Sequence, residues 1–164
     1  MAQVIFVLTI FAALCTALLA GLFFAFSMFF MRALGGLSAE RGIVAMQATI
    51  QAIKRPAFLA VFFGTALLSL ALAANAIVTW HSAYAHYALA GAVLFLVGGF
   101  GVTMLRSAPM NKALLAASPD AGEAHEYWHR YRLVWVRWNH VRAVSTSLAC
   151  ASFMLALASM GLPR

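Results

Sequence analysis

The run Val4-IFVLTIFAALCTALLAGLFFAFSMFF-Met31 decides the fold class of this chain. It contains no charged residue, and it is longer than the roughly 20 apolar residues that a helix needs to cross the core of a bilayer. A signal peptide would carry a basic segment in front and would have a shorter apolar stretch. The run therefore predicts a membrane-spanning helix that is retained in the protein.

Three more apolar runs follow, and the composition indicates the same class. Of the 164 residues, 65% are hydrophobic and 9% are charged, whereas a soluble domain typically carries about 25% charged residues. No segment alternates with the period of two expected for a membrane β-barrel, so helices must satisfy the backbone in lipid. We predict an all-α fold, a single integral membrane four-helix bundle over residues 1–164. The predicted spans are 4–31, 57–79, 87–105 and 141–160.

The basic residues predict how the bundle is oriented. Ten of the eleven Lys and Arg residues lie in or beside the first and third connections between spans, and the second connection, 80–86, has none. Because cytoplasmic loops carry an excess of Lys and Arg, we predict a bacterial inner (plasma) membrane protein with its termini outside and its long loops cytoplasmic. The net charge of +7 follows from this topology. The predicted partner is therefore the lipid bilayer and no nucleic acid.

The first long connection has the pattern of an amphipathic helix. Ser38 is suited to the N-cap position, and an acid follows two residues later. From there to Lys54 apolar residues recur at helical spacing, and Pro56 ends the pattern. We predict an amphipathic helix between spans 1 and 2 on the inner membrane surface, with Gln47 on or near its inward face.

The second long connection predicts an extension of the fourth spanning helix. Ser118-Pro119-Asp120 combines a cap residue, a first-turn proline and an acid at the positive end of the helix dipole. After Gly122, no glycine or proline occurs before Gly161. We predict one helix that begins near Pro119, so that helix 4 has a long cytoplasmic extension.

Arg142 lies just inside the last apolar run, and no acidic residue lies within any of the four runs. A cation at this depth marks a functional site by default, although an arginine near a helix end also snorkels to lipid phosphate. Trp128, Trp135 and Arg142 are seven residues apart, and Asn139 lies four beyond Trp135, so they share one helix stripe. The stripe predicts an aromatic-walled pocket for a flat molecule, with an interfacial aromatic belt as the alternative.

Other polar side chains are predicted at the same depth as this stripe. They are Ser27, Gln47, Thr103 and Asn111. A buried cation without a carboxylate needs several neutral acceptors. We therefore predict that Arg142 points into the bundle and hydrogen-bonds Asn111, Asn139, Ser27, Gln47 or nearby carbonyls.

The segment His125-Glu-Tyr-Trp-His129 matches the H-E-x-x-H pattern of zinc proteases. A catalytic zinc needs a third protein ligand. The next histidine, His140, is 11 residues further on, or roughly 16 Å along a helix. We predict a pair of surface histidines and no metal in the site. Metal binding by the pair alone stays open.

Two segments carry a recognisable pattern. They are Thr103-Met-Leu-Arg-Ser-Ala-Pro109-Met-Asn111 and Trp138-Asn139-His140-Val141-Arg142, with Trp128 and Trp135 before the second. Together they resemble the anthrone oxygenase-like family of small four-span membrane proteins. Its pattern has Pro-x-Asn after the third span, spaced tryptophans, and W-N-x-x-R opening the fourth span. Gly21, Ser27 and Gln47 also fit family positions.

The resemblance implies a membrane oxygenase that oxidises a flat phenolic or anthrone-type substrate with O₂, without a cofactor, in a cytoplasm-facing pocket. It implies that Arg142, Asn139 and Asn111 donate to an oxyanion and that His140 is the base. The substrate-binding residues would be Trp128, Trp135, Ser27, Gln47 and Thr103. The alternative is a non-enzymatic membrane protein that binds a lipid or quinone, or a subunit of a membrane complex. A homo-oligomer stays open.

Overall fold

The computed structural model describes residues 2–119 and 122–161. Within them it has five helices and no strand, so the all-α prediction is confirmed. Four of the helices are long and apolar enough to cross a membrane, which makes this an integral membrane protein; its orientation stays a prediction. The helices are α1 (Ala2–Gly35), α2 (Ala39–Ile53), α3 (Pro56–Val78), α4 (Ala83–Ala116) and α5 (Ala124–Met160).

The four long helices form a bundle in which α5 lies between α1 and α4, and α3 packs against the same two helices. Aromatic rings fill its centre, including Phe62, Phe95 and Phe153. The outer faces carry exposed large apolar side chains, such as Leu67 at 68% and Val97 at 67%. Exposed apolar surface on every long helix is what contact with lipid requires.

Small residues bring α4 and α5 together. A Cβ added at Gly98 would overlap the Ser145 side chain, and one at Gly91 would come within 3.0 Å of the Phe153 ring. Glycine therefore removes the side chain that would otherwise separate the two helices. Such close approach is how helices associate in lipid, where burial of apolar surface gives little driving force.

The amphipathic helix is present as α2. Ile43, Met46 and Ile50 are buried, while Val44 on the other face is 52% exposed. Ser38 occupies the N-cap position. Helix α2 crosses one end of the bundle and packs against α1, α4 and α5. We call this the basic end, because the predicted cytoplasmic connections that meet there carry most of the Lys and Arg residues.

Helix α5 is one continuous helix of 37 residues, as its predicted extension requires. The predicted start near Pro119 was wrong, because the helix begins at Ala124. Helix α4 does not end with the apolar run but continues to Ala116, so Ser118 and Pro119 are needed in the connection that reverses the chain. Asp120 lies outside the described residues.

Three π-helical segments interrupt the long helices within the described chain. One is Phe26–Phe30 in α1, and two are Leu94–Gly101 and Thr103–Ser107 in α4. In such a segment the backbone N–H bonds the carbonyl five residues back, which widens the turn. Thr103–Ser107 ends two residues before Pro109, whose ring disfavours a regular α-helical turn. These wider turns lie at the same level as the polar residues described next.

Candidate functional site

Arg142 points into the bundle, where only 6% of its surface is exposed. Its Nη2 donates to Asn139 Oδ1 at 2.5 Å, and its Nη1 donates to Thr103 Oγ1 at 3.2 Å. In the described parts of the chain the one ion pair is Arg130–Glu126, which is exposed. The cation therefore stands among neutral partners inside the protein and does not reach out to lipid phosphate.

Two aromatic rings complete the surroundings of Arg142. Its Cζ lies 4.1 Å from the centre of the Phe23 ring and 5.4 Å from that of Trp135. Ring faces attract a desolvated cation, so they offset part of its lost hydration. The Arg142 Nε–H has no acceptor among the described residues. The guanidinium thus keeps a donor that its protein partners do not use.

Asn139 holds Arg142 in place and joins α5 to α1. Its Nδ2 donates to the Phe23 carbonyl and to Ser27 Oγ, each at 2.7 Å. Ser27 lies in the π-helical turn Phe26–Phe30. A π-helical turn shifts the backbone hydrogen-bond ladder, and such turns often occur at functional sites. The amide of Asn139 is fully engaged, which leaves its oxygen directed at Arg142.

Asn111 forms a second polar cluster beside the first. Its Oδ1 accepts from Tyr131 Oη at 2.8 Å and from Trp135 Nε1 at 2.9 Å. Trp135 therefore belongs to both clusters, since its ring also faces Arg142. Asn111, one of the alternative partners predicted for Arg142, forms no hydrogen bond with it, whereas Asn139 does. Because the Asn111 oxygen is occupied twice, its NH₂ group is the part that remains for a ligand.

A cavity of about 80 Å³ lies beside Arg142, and we call it the inner cavity. Arg142, Thr103, Asn111 and Trp135 supply its polar atoms, and apolar side chains from α1, α2 and α3 supply the rest. At about 30 Å³ per water, it holds a few waters and is too small for a tricyclic ring. The apolar lining is Leu22, Phe23, Phe26, Met46, Ile50, Ile53, Phe58 and Phe62.

A larger space of about 330 Å³ adjoins the inner cavity, and we call it the outer groove. Ile50, Ile53 and Asn111 line both spaces and separate them. Lys54 and Lys112 lie in the wall of the outer groove. Its volume falls in the range of sites that bind small molecules, which is about 300–1,000 Å³.

A comparison with protein families identifies the family of this chain. The family model described as anthrone oxygenase matches residues 55–152, which is more than half of the chain. The chain belongs to this family. The matched part contains Thr103, Asn111, Trp135, Asn139 and Arg142. No curated protein and no solved structure matches the chain.

The anthrone oxygenase match includes His140, but the structure places this residue elsewhere. His140 is exposed and lines a separate groove with Ser27. It follows Asn139 directly and precedes Arg142 by two residues, so on a helix it points to another side of α5. Its predicted role as base does not fit this geometry for a ligand in the inner cavity.

Gln47 also does not line the inner cavity. Its Nε2 donates to the carbonyls of Leu114 at 2.8 Å and Ala117 at 3.0 Å. These two carbonyls lie at the end of α4, where the last carbonyls of a helix lack their regular intrahelical donors, and the Leu114 carbonyl also accepts from the Ala117 backbone N–H at 3.1 Å. In this anthrone oxygenase family member Gln47 therefore fastens α2 to α4, which positions the α2 side chains that line the cavity.

Trp128 is buried but lies beyond the inner cavity. Its ring stacks on Tyr131 with centres 5.7 Å apart. It also covers Gly42 of α2, where a Cβ would come within 2.6 Å of its Nε1. Trp128 thus closes the basic end and supports Tyr131, and of the two stripe tryptophans only Trp135 reaches the cavity.

Phe23 and Tyr131 also belong to the two polar clusters, and the sequence pattern did not predict either of them. Tyr131 lies four residues before Trp135, so its place on the stripe was a usable signal. Phe23 had no such signal, because it is one of many aromatic residues in an apolar run. His125 and His129 are both exposed. Across residues 2–119 and 122–161, no three His, Cys, Asp or Glu side chains come together as a metal site.

Proposed function

We propose that this protein is a membrane oxygenase that binds the oxyanion of a flat phenolic or anthrone-type substrate at Arg142, where it reacts with O₂. Membership of the anthrone oxygenase family supports the reaction class. The observation that carries the proposal is the buried Arg142 guanidinium, which has no carboxylate partner in the described chain and lines a cavity walled by aromatic rings.

The proposed reaction converts the ring CH₂ of an anthrone into a carbonyl. One oxygen atom of O₂ enters the product, and the other leaves as water with the two hydrogen atoms of the CH₂ group. The substrate loses four electrons and O₂ accepts four, so no other reductant is required. The reacting form is the enolate, in which loss of one C–H proton leaves an electron-rich oxyanion.

The protein would stabilise this oxyanion by donors fixed in advance. Asn139 and Thr103 hold Arg142 in place, and the NH₂ group of Asn111 is left to donate to the substrate. Fixed donors in a site that excludes water are usually the largest electrostatic contribution to catalysis. Because Asn139 is neutral, it positions Arg142 without cancelling its charge.

The two adjoining spaces suggest how a substrate larger than the inner cavity is held. The ring system would lie in the outer groove, and its oxyanion would pass Asn111 to reach Arg142. This requires movement of Ile50 and Ile53, whose side chains separate the two spaces. Both residues are on α2, near the end of the helix that lies against the bundle.

Deprotonation of the substrate is proposed to use water or hydroxide. No His, Asp or Glu is among the described residues that line the inner cavity. An opposite charge favours the ionised form of a group by lowering its pKa. Arg142 would therefore act by lowering the pKa of the substrate, and the turnover rate should rise with pH until the substrate is fully ionised.

The test measures O₂ consumption by purified protein in nanodiscs with an anthrone such as emodin anthrone. Arg142→Gln should lower kcat/KM by about 100-fold or more, as the loss of an oxyanion donor does. Arg130→Gln, which changes an exposed arginine on the same helix, should leave turnover unchanged. Absence of any acceleration by the wild-type protein with anthrones and other phenols would refute the proposed reaction.

A second candidate function is a non-enzymatic membrane protein that binds a quinone or lipid. The same lack of a proton-accepting His, Asp or Glu in the described cavity lining favours it, because a binding protein needs no base. Native mass spectrometry from nanodiscs distinguishes the two. A retained quinone or lipid without turnover supports binding alone.

A further inference from the structure

A third space, of about 350 Å³, is formed by residues of α1 and α5 and shares no lining residue with the inner cavity or the outer groove. We call it the basic groove. Among the described residues, its lining carries three arginines, two histidines and no acidic residue. The lining residues are Ser27, Met31, Arg32, His129, Arg132, Leu133, Val136, Arg137 and His140.

No carboxylate among the described residues neutralises the charges of the basic groove. Arg32 comes from the end of α1, and Arg132 and Arg137 come from the first half of α5. In the part of the chain that the structure describes, none of the three forms an ion pair. Several cations that converge without a carboxylate make a site for an anion, which arginine binds through charged hydrogen bonds.

Arg132 is held in place at this groove. Its guanidinium lies where the side chain of Gly35 would be, so any Cβ there would overlap it. Its Nη1 donates weakly to the Gly35 carbonyl at 3.4 Å, and its Cζ lies 5.9 Å from the Trp128 ring centre. A cation that is already ordered loses less entropy when a ligand binds.

Apolar side chains line the groove beside its arginines, histidines and Ser27, where α5 enters its membrane run. Met31, Leu133 and Val136 line it, and Leu133 is 50% exposed. The apolar run of α5 begins at Val141, directly after His140. A free phosphate ion would gain nothing from this apolar surface. The head group of a lipid would contact the arginines, and its upper acyl chains would contact the apolar side chains.

We infer that the basic groove binds the phosphodiester head group of an anionic phospholipid between Arg32, Arg132 and Arg137. Basic pockets between membrane helices at the cytoplasmic side bind such head groups. The site is independent of the proposed oxygenase activity, because the groove adjoins the Arg142 network only through Ser27, which accepts from Asn139. Variants on the arginines therefore test it without altering the inner cavity.

The experiment titrates full-length protein in detergent with phosphatidylglycerol or phosphatidylcholine and counts bound lipid by native mass spectrometry. We expect retained phosphatidylglycerol and no retained phosphatidylcholine. The double change Arg132→Gln and Arg137→Gln should weaken phosphatidylglycerol binding roughly 10- to 30-fold, as expected for the loss of two cations near an anionic head group.

The matched control changes Arg41 and Arg130 to Gln, which removes two exposed arginines of the basic end outside the groove. This pair should bind lipid as the wild type does. If thermal unfolding shows that the double variant is not folded, the single change Arg137→Gln replaces it. Arg137 is exposed, and its loss should still weaken phosphatidylglycerol binding several-fold. Equal retention of phosphatidylcholine, an equal effect of the control pair, or full displacement by millimolar inorganic phosphate would overturn the inference.

Discussion

Asn139 Oδ1 accepts a hydrogen bond from Arg142 Nη2 at 2.5 Å, three residues further along α5. The orientation of the amide is determined, because the reverse orientation would direct its NH₂ group at a cation. The NH₂ group instead meets two acceptors on α1, the Phe23 carbonyl and Ser27. A buried side chain with 0% exposure thus positions a charge without neutralising it.

Replacing Asn139 by Ala is predicted to destabilise the protein and abolish turnover. The change removes one acceptor from Arg142 and leaves the Phe23 carbonyl without its side-chain donor. Such a loss costs about 2–4 kcal/mol when the groups are buried. Ser27→Ala removes one acceptor only, so its cost should be nearer 1 kcal/mol. Thermal unfolding in detergent measures both, and an equal effect of the two changes would contradict this account.

Trp135→Phe is predicted to weaken catalysis while the fold is kept. Phenylalanine retains an aromatic ring near Arg142 but cannot donate to Asn111 Oδ1, a bond of 2.9 Å in the wild type. One lost hydrogen bond costs about 1 kcal/mol, so we expect a several-fold decrease in kcat/KM for the anthrone. Trp138→Phe is the matched control, since Trp138 lies under Arg106 and away from the inner cavity. An equal decrease in both variants would argue against Trp135 as a site residue.

The helices and the polar stripe of α5 follow from local pattern. Apolar runs longer than a bilayer core identify the four spanning helices, and spacing by seven places Trp128, Trp135 and Arg142 on one face. All three side chains are buried, with exposed fractions of 3%, 3% and 6%, as that spacing predicts. These features depend on residues close together in the chain, so no knowledge of packing is needed to predict them.

The partners of each polar group depend on features without a sequence signal. A π-helical turn holds one extra residue, so it rotates the following residues by about 100° relative to a regular helix. Thr103–Ser107 is such a segment, and it begins at Thr103 and ends four residues before Asn111, the α4 residue predicted as a partner of Arg142. Thr103 contacts Arg142, whereas Asn111 is turned towards Tyr131 and Trp135.

Ile53→Trp is predicted to block access to Arg142 without destabilising the protein. Ile53 is half-buried and separates the outer groove from the inner cavity. A larger side chain there would keep a ring system from reaching Asn111, so the KM for the anthrone should rise or turnover should disappear. Val44→Trp adds the same bulk on the exposed face of α2. This control should leave the kinetics unchanged. Unchanged kinetics in Ile53→Trp would exclude the proposed path of the substrate from the outer groove to Arg142.

His140→Ala is predicted to keep both the activity and its dependence on pH. The imidazole is exposed and lies in the basic groove, whereas the inner cavity has no histidine among its described lining residues. If water or hydroxide removes the substrate proton, kcat/KM should rise with pH along the ionisation of the substrate, in the variant as in the wild type. A general base contributes about 100- to 10,000-fold, so its loss would be plain in O₂ consumption measured between pH 6 and 9. Arg137→Ala, in the same groove, is the control and should leave activity unchanged. A decrease of that size in His140→Ala alone would identify His140 as the base. The ligand would then have to lie on the other side of α5.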